Sequence, residues 1–160
     1  MALSDFDLVL FGGSGDLAMR KLLPAMYARE VAQDMPSSAR IICVARHEWT
    51  REEFINAVNT QSKNHIKSKH LDEAVWQRFC ERLIYVSLNA VDSSTYGALI
   101  AALRPDASTT RVYYLATPPH IFATICKNLH QHGLATANSR VVLEKPLGRD
   151  LKSAKQINAE

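Results

Sequence analysis

Residues 12–18 read Gly-Gly-Ser-Gly-Asp-Leu-Ala, directly after the apolar run Leu8-Val9-Leu10-Phe11 and directly before a helix-type pattern, and no other stretch restricts the chain as much. A strand that turns into a helix through glycines brings backbone amides and the positive helix end to one point, which is what a pyrophosphate requires. One glycine makes the tight turn, one lets the backbone approach the phosphates, and Ala18 lets the helix pack close to the sheet. Glycines also occur wherever a strand-to-helix turn needs a positive φ. Here the stretch Gly13-Ser14-Gly15-Asp16-Leu17-Ala18 fits G-x-G-x-x-A at the one place where a buried parallel strand precedes and a helix follows.

The remaining strand-like runs are Arg40 to Ala45, Leu83 to Val86, Arg111 to Ala116 and Arg140 to Glu144, with Asp7 to Phe11 first. They alternate with helix-like stretches over Gly15 to Val31, Thr50 to Gln61, Leu71 to Glu81, Ser93 to Leu103, His120 to His130 and Asp150 onward. That alternation predicts an α/β fold, a doubly wound and mainly parallel sheet with helices on both faces. Thr50 ahead of Glu52 and Glu53, and Asp92 ahead of Ser93, are helix start signals, and Gly133 sits where a helix C-cap is expected. Pro24 falls inside the first helix, where a proline removes one hydrogen bond, and the apolar set Leu17, Leu22, Leu23, Met26 and Tyr27 favours a kinked continuation.

With 160 residues of which 47% are apolar, the chain makes a single dinucleotide-binding domain over residues 1–160. The pattern ends inside a helix-like segment at Glu160, so a domain of a longer chain is expected, its second domain absent here. Cys43, Cys80 and Cys126 stand among apolar neighbours without a C-x-x-C, as core fillers in a reducing compartment. No positive region precedes a short apolar N-terminal run and no stretch approaches 20 apolar residues, so a cytoplasmic protein with no membrane partner is expected. A net charge of +3 without an arginine-rich stripe gives no nucleic-acid face. The local basic run 64–70 reads as solvated loop.

The second strand chooses the coenzyme, because an acidic residue at its end holds a ribose 2′-hydroxyl in NAD-binding versions of the fold. Here Ile41 to Ala45 runs into Arg46, whose guanidinium suits a 2′-phosphate in forked geometry, and NADP is favoured over NAD. His47 either assists or faces water, and Glu48 is too late for the ribose role. Ala116-Thr117-Pro118-Pro119 after the fourth strand forms either a stiff wall against a cofactor ring or an ordinary strand-to-helix stop. Phe122 opens the apolar helix face Phe122, Ile125, Cys126 and Leu129, a core reading by periodicity. In Glu144-Lys145-Pro146-Leu147-Gly148 the proline holds Lys145 extended and directs its ammonium toward a crevice. Lys21, one turn into the first helix, either reaches that crevice or is solvated.

Taken together, Gly12 to Ala18 with Lys21-Leu22 and Pro24, Ala45-Arg46, Ala116 to Pro119 and Glu144 to Gly148 resemble the N-terminal coenzyme domain of the glucose-6-phosphate dehydrogenase family, in its order and approximate spacing over nearly the whole chain. The resemblance implies NADP-dependent oxidation of glucose 6-phosphate to 6-phosphogluconolactone in the oxidative pentose phosphate pathway, by a homo-oligomer when full-length. It implies that Gly12, Gly13, Ser14, Gly15, Asp16, Leu17, Ala18 and Met19 hold the pyrophosphate, Ser14 adding a hydroxyl donor. By the same likeness Arg46 takes the 2′-phosphate, Ala116, Pro118 and Phe122 lie on the nicotinamide side, Lys145 contacts coenzyme and substrate, its bond to Pro146 is cis, and Lys21 lies near the substrate.

The chain also departs from the family pattern. Asn89 stands where the family often has an acidic residue in the adenine region, and Met19 replaces a usual basic one. The family's R-I-D-H-Y-L-G-K-E segment, whose histidine is the general base, is expected beyond Glu160, and none of the six histidines present belongs to a base or metal motif. The 160 residues alone are therefore expected to bind NADP and to turn over no sugar. Two alternatives stay open on the sequence: a coenzyme domain of the glucose-fructose oxidoreductase group, and a non-catalytic NADP-binding module.

Overall fold

The computed structural model describes residues 4–144. The expectations for Lys145, Pro146, Gly148 and a helix from Asp150 onward lie outside that range. Five strands, β1 (Phe6–Phe11), β2 (Arg40–Ala45), β3 (Leu83–Ser87), β4 (Thr110–Leu115) and β5 (Ser139–Leu143), form one sheet in the order β3-β2-β1-β4-β5. Every neighbouring pair is parallel. The chain thus starts in the middle, moves outward to β3, returns to the other side of β1 and moves outward again, which is the doubly wound path.

Successive residues of the central strands enter different cores, as a sheet covered on both faces demands. Val9, Phe11, Ile42, Val44, Tyr113 and Leu115 pack with Tyr96, Leu99, Ile125 and Leu129, under α4 (Gly97–Ala102) and α5 (Phe122–Gln131). Leu8, Leu10, Ile41 and Cys43 pack on the opposite face with Leu23, Tyr27, Phe54, Trp76 and Phe79, from α1 (Leu23–Val31), α2 (Arg51–Ala57) and α3 (Glu73–Glu81). Burial falls off at β5, where Val141 is 46% and Val142 38% exposed. Cys43 and Cys80 fill core positions, and Cys126 is half-buried against the α5 side. Burial pushes the Cys80 thiol up to about 11 and Cys43 higher still, so neither is a thiolate at neutral pH.

Side-chain chemistry explains where the helices begin. Thr50 Oγ1 accepts the N–H of Glu53 at 3.2 Å while the Glu53 carboxylate accepts the N–H of Thr50 at 2.7 Å, a complete capping box ahead of α2. Asp72 caps α3, and Asp92 caps the 3-10 turn Ser93–Tyr96 that leads into α4. Gly133 closes α5 with φ +66°, and the N–H of Leu134 reaches back to the carbonyl of Leu129 at 2.9 Å. The segment 64–70 lies in two short 3-10 turns, its charged residues exposed.

What absorbs Pro24 is a π turn over Ala18–Leu22, in which the N–H of Leu23 bonds the carbonyl of Ala18 five residues back. Widening the turn makes room for a ring that would clash with the carbonyl four residues before it, so the helix continues into α1 with Pro24 in its first turn. A second π turn, Val58–Ser62, extends α2. The helix expected from His120 begins one residue earlier as a 3-10 turn, Pro119–Ile121, and becomes α-helical at Phe122.

Candidate functional site

The strand order reverses between β1 and β4, and the loops that leave their carboxyl ends meet there. Gly12 has φ +80°, and a Cβ on it would lie 2.4 Å from the carbonyl oxygen of Ala116. At Gly13 a Cβ would lie 2.6 Å from Cys43 Cβ and 2.8 Å from its Cα. These two positions therefore exclude any side chain, one on backbone conformation and both on contact with neighbouring strands. Gly15 is looser, its nearest neighbour 3.2 Å away.

Backbone hydrogen bonds fix the turn and also reveal which donors remain. The amides of Gly12 and Gly13 both donate to the carbonyl of Val44 at 2.9 Å. Gly15 donates to Gly12 at 3.0 Å and Met19 to Gly15 at 3.0 Å, while Ala116 donates to Phe11 at 2.9 Å. Four of the eight amides expected to hold a pyrophosphate are thus already engaged within the protein, those of Gly12, Gly13, Gly15 and Met19. Met19 is in addition 2% exposed, its side chain in the core with Leu23 and Tyr27. Among the described residues the amides of Ser14, Asp16, Leu17 and Ala18 have no backbone or side-chain acceptor, as the first turn of a helix leaves them. They lie at the positive end of a helical run from residue 16 to residue 31.

Arg46 follows β2 at the same end of the sheet, exposed and without an ion pair among the described residues. Beside it, His47 Nδ1 lies 3.0 Å from Ser14 Oγ, so the hydroxyl expected to face a phosphate is also tied to β2. The His47 ring stacks on Trp49 with centroids 4.5 Å apart and planes 10° from parallel. Tyr85 on β3 donates its hydroxyl to the His47 carbonyl at 2.6 Å and packs against Trp49 and Phe54. Burial pushes the Tyr85 phenol up to about 12, so it remains a neutral donor through the physiological range. This aromatic support was not predicted from sequence, because Trp49, Phe54 and Tyr85 share no local period.

The other expected residues divide. Asp16 and Lys21 are exposed, Asp16 paired with Arg20 at 3.3 Å. Ala116 is half-buried against Gly12 and Pro118 is exposed, and the Thr117 hydroxyl between them is buried without a partner among the described residues. Phe122, expected on the nicotinamide side by resemblance and in the core by periodicity, is 2% exposed in the core with Ile125 and Leu129. Asn89 is occupied in a turn, its side chain accepting the N–H of Val91 at 3.3 Å. Tyr114 donates its hydroxyl to Glu144, the last described residue before Lys145.

Two glycines that tolerate no side chain and, among the described residues, four amides without acceptors at a helix start and a guanidinium without an ion pair one strand away fit a phosphate-rich dinucleotide. Comparison with known proteins agrees. The sequence family described as "Glucose-6-phosphate dehydrogenase, NAD binding domain" matches residues 9–160. A glucose-6-phosphate 1-dehydrogenase of Mycolicibacterium smegmatis is 45% identical over 156 residues, covering 95% of this chain and 32% of that protein. The crystal structure of glucose-6-phosphate 1-dehydrogenase from Mycobacterium avium superposes with a TM-score of 0.85 at 33% identity, over 98% of this chain and 33% of that one. A glucose-6-phosphate dehydrogenase solved in complex with glucose 6-phosphate gives 0.81 at 28% identity, over 96% and 33%. The chain spans about a third of the length of such relatives. On sequence and on fold it belongs to the glucose-6-phosphate dehydrogenase family, as that family's NAD binding domain.

Proposed function

We propose that this chain is the NADP-holding part of a glucose-6-phosphate dehydrogenase, which oxidises glucose 6-phosphate to 6-phosphogluconolactone as a cytoplasmic homo-oligomer. One observation carries the choice of coenzyme: the exposed Arg46 where β2 ends, without an ion pair among the described residues, beside the acceptor-free amides of Ser14, Asp16, Leu17 and Ala18. A guanidinium there meets a 2′-phosphate by charge-assisted bonds, and no acidic residue precedes it to hold a bare ribose. When bound, the coenzyme accepts the hydride from C1 of the sugar. The amides of Ser14, Asp16, Leu17 and Ala18 hold its pyrophosphate, and Gly12 and Gly13 keep the loop low enough for that approach. By the same family likeness Ala116 and Pro118 lie on the nicotinamide side, Lys145 is assigned contacts to coenzyme and sugar phosphate, and Lys21 a place near the substrate.

The general base and most of the sugar site belong, in this reading, to a further domain beyond residue 160, since the chain matches about a third of its relatives. Titration with NADP and with NAD, repeated on Arg46→Ala, tests the coenzyme assignment. The preference for NADP is expected to fall about tenfold to hundredfold on loss of hydrogen bonds between charged partners. A wild-type chain with no preference, or a preference that survives the substitution, overturns it. Formation of NADPH from glucose 6-phosphate by these 160 residues alone would overturn the division of labour.

A further inference from the structure

Resting on the NADP reading above, we propose that His47 is a proton-dependent specificity residue, linking the 2′-phosphate position to the pyrophosphate loop through the hydroxyl of Ser14. Three observations hold the imidazole in place: Nδ1 lies 3.0 Å from Ser14 Oγ, the ring face lies on Trp49 at 4.5 Å, and the backbone carbonyl is bonded by Tyr85 at 2.6 Å. Nε2 has no partner among the described residues and belongs to the residue next to Arg46.

A neutral imidazole that accepts the Ser14 proton at Nδ1 carries its own proton on Nε2. Protonation turns Nδ1 into a donor, so the Ser14 oxygen becomes an acceptor and its hydrogen is freed toward the first-turn amides, where a phosphate oxygen sits. One added proton therefore does two things: it places a second positive charge beside Arg46, and it reverses a hydroxyl on the pyrophosphate loop. NAD, which lacks the 2′-phosphate, feels the added charge only through its pyrophosphate, together with the second effect. The charged and titratable groups on the elements around His47 are Arg46 and Glu48 on either side, Asp16 on the phosphate loop, tied to Arg20 at 3.3 Å, and Tyr85, whose phenol stays neutral. Histidine is the one of these whose side chain ordinarily changes charge between pH 5 and 8.

The test is NADP and NAD affinity from pH 5.5 to pH 8.5 for the wild type, His47→Gln and Ser14→Ala, each checked for an unchanged melt. Glutamine keeps a donor without a titrating charge, and the 2′-phosphate's own titration is common to all three proteins. Wild-type preference for NADP over NAD is expected to rise about fivefold from pH 8 to pH 6, the scale of an exposed charge pair. His47→Gln flattens that rise, and Ser14→Ala keeps the NADP-specific rise while reducing the part shared with NAD. A pH profile identical in wild type and His47→Gln, with the preference for NADP intact, overturns the inference and leaves the coenzyme reading standing. Absence of any NADP preference at all pH values overturns the coenzyme reading itself.

Discussion

The two ends of the same sheet treat charge in opposite ways. At the amino ends of the strands the buried carboxylates are answered within the chain: Asp7, fully buried, receives the Arg40 guanidinium through two bonds at 2.9 and 2.8 Å, with Arg104 at 3.7 Å. Glu30 is bonded by Arg82 at 2.6 Å, and the same guanidinium caps the carbonyls of Pro36 and Ala39. At the carboxyl ends, among the described residues, Arg46 has no ion pair and the amides of Ser14, Asp16, Leu17 and Ala18 have no acceptor. A buried charge without a partner is costly, so the first end is constrained by folding, whereas the second keeps polar groups that, in the proposed reading, the coenzyme completes.

Substitutions that disturb both ends should separate these roles. Gly12→Ala introduces a Cβ at φ +80° and 2.4 Å from the Ala116 carbonyl, so it is expected to cost on the order of 3 kcal/mol in urea unfolding and to abolish dinucleotide binding. Retained affinity would mean that the turn is not the cradle. Asp7→Ala strands two arginines that are each about a quarter exposed, for a loss of roughly 2–3 kcal/mol after discounting for solvent, with NADP affinity of the folded fraction unchanged. If affinity falls as well, the two ends are not independent. Arg46→Ala is the converse, with stability within about 0.5 kcal/mol of wild type and the coenzyme preference lost.

The smallest effect is alkaline. Burial holds the phenols of Tyr85, Tyr96 and Tyr113 at about 12, above the ordinary value near ~10. Their neutral forms favour the folded state, so this contribution is complete below pH ~10, where both states are protonated, and declines between pH ~10 and 12 as the unfolded chain ionises first. Absorbance of tyrosinate against pH, alongside a melt, checks it. Early ionisation of all five tyrosines would contradict the burial of these three.

Strand positions were legible because buried parallel strands are short apolar runs between polar stops: Arg40–Ala45 was read to the residue, and the other four to within one residue. Cap chemistry was legible for the same local reason, at Thr50, Asp92 and Gly133. The π turn before Pro24 was not, since periodicity averages over a single widened turn. Nor were the internal bonds that occupy the amides of Gly12, Gly13 and Met19, because a motif gives residue types and not the direction of each N–H. His47 between Ser14 and Trp49 is a contact across 33 residues of sequence, invisible to any window.

The carbonyl of Val44 receives two amides from the glycine turn and stands two residues ahead of Arg46. A single oxygen thus works as a gauge block: it fixes the glycine turn against the end of β2, and if the proposed coenzyme reading holds, both of its contact points are spaced before it arrives. Lengthening the chain by one residue at Ala45 would spoil that span, whereas insertions in the exposed stretch after α1 would leave it untouched.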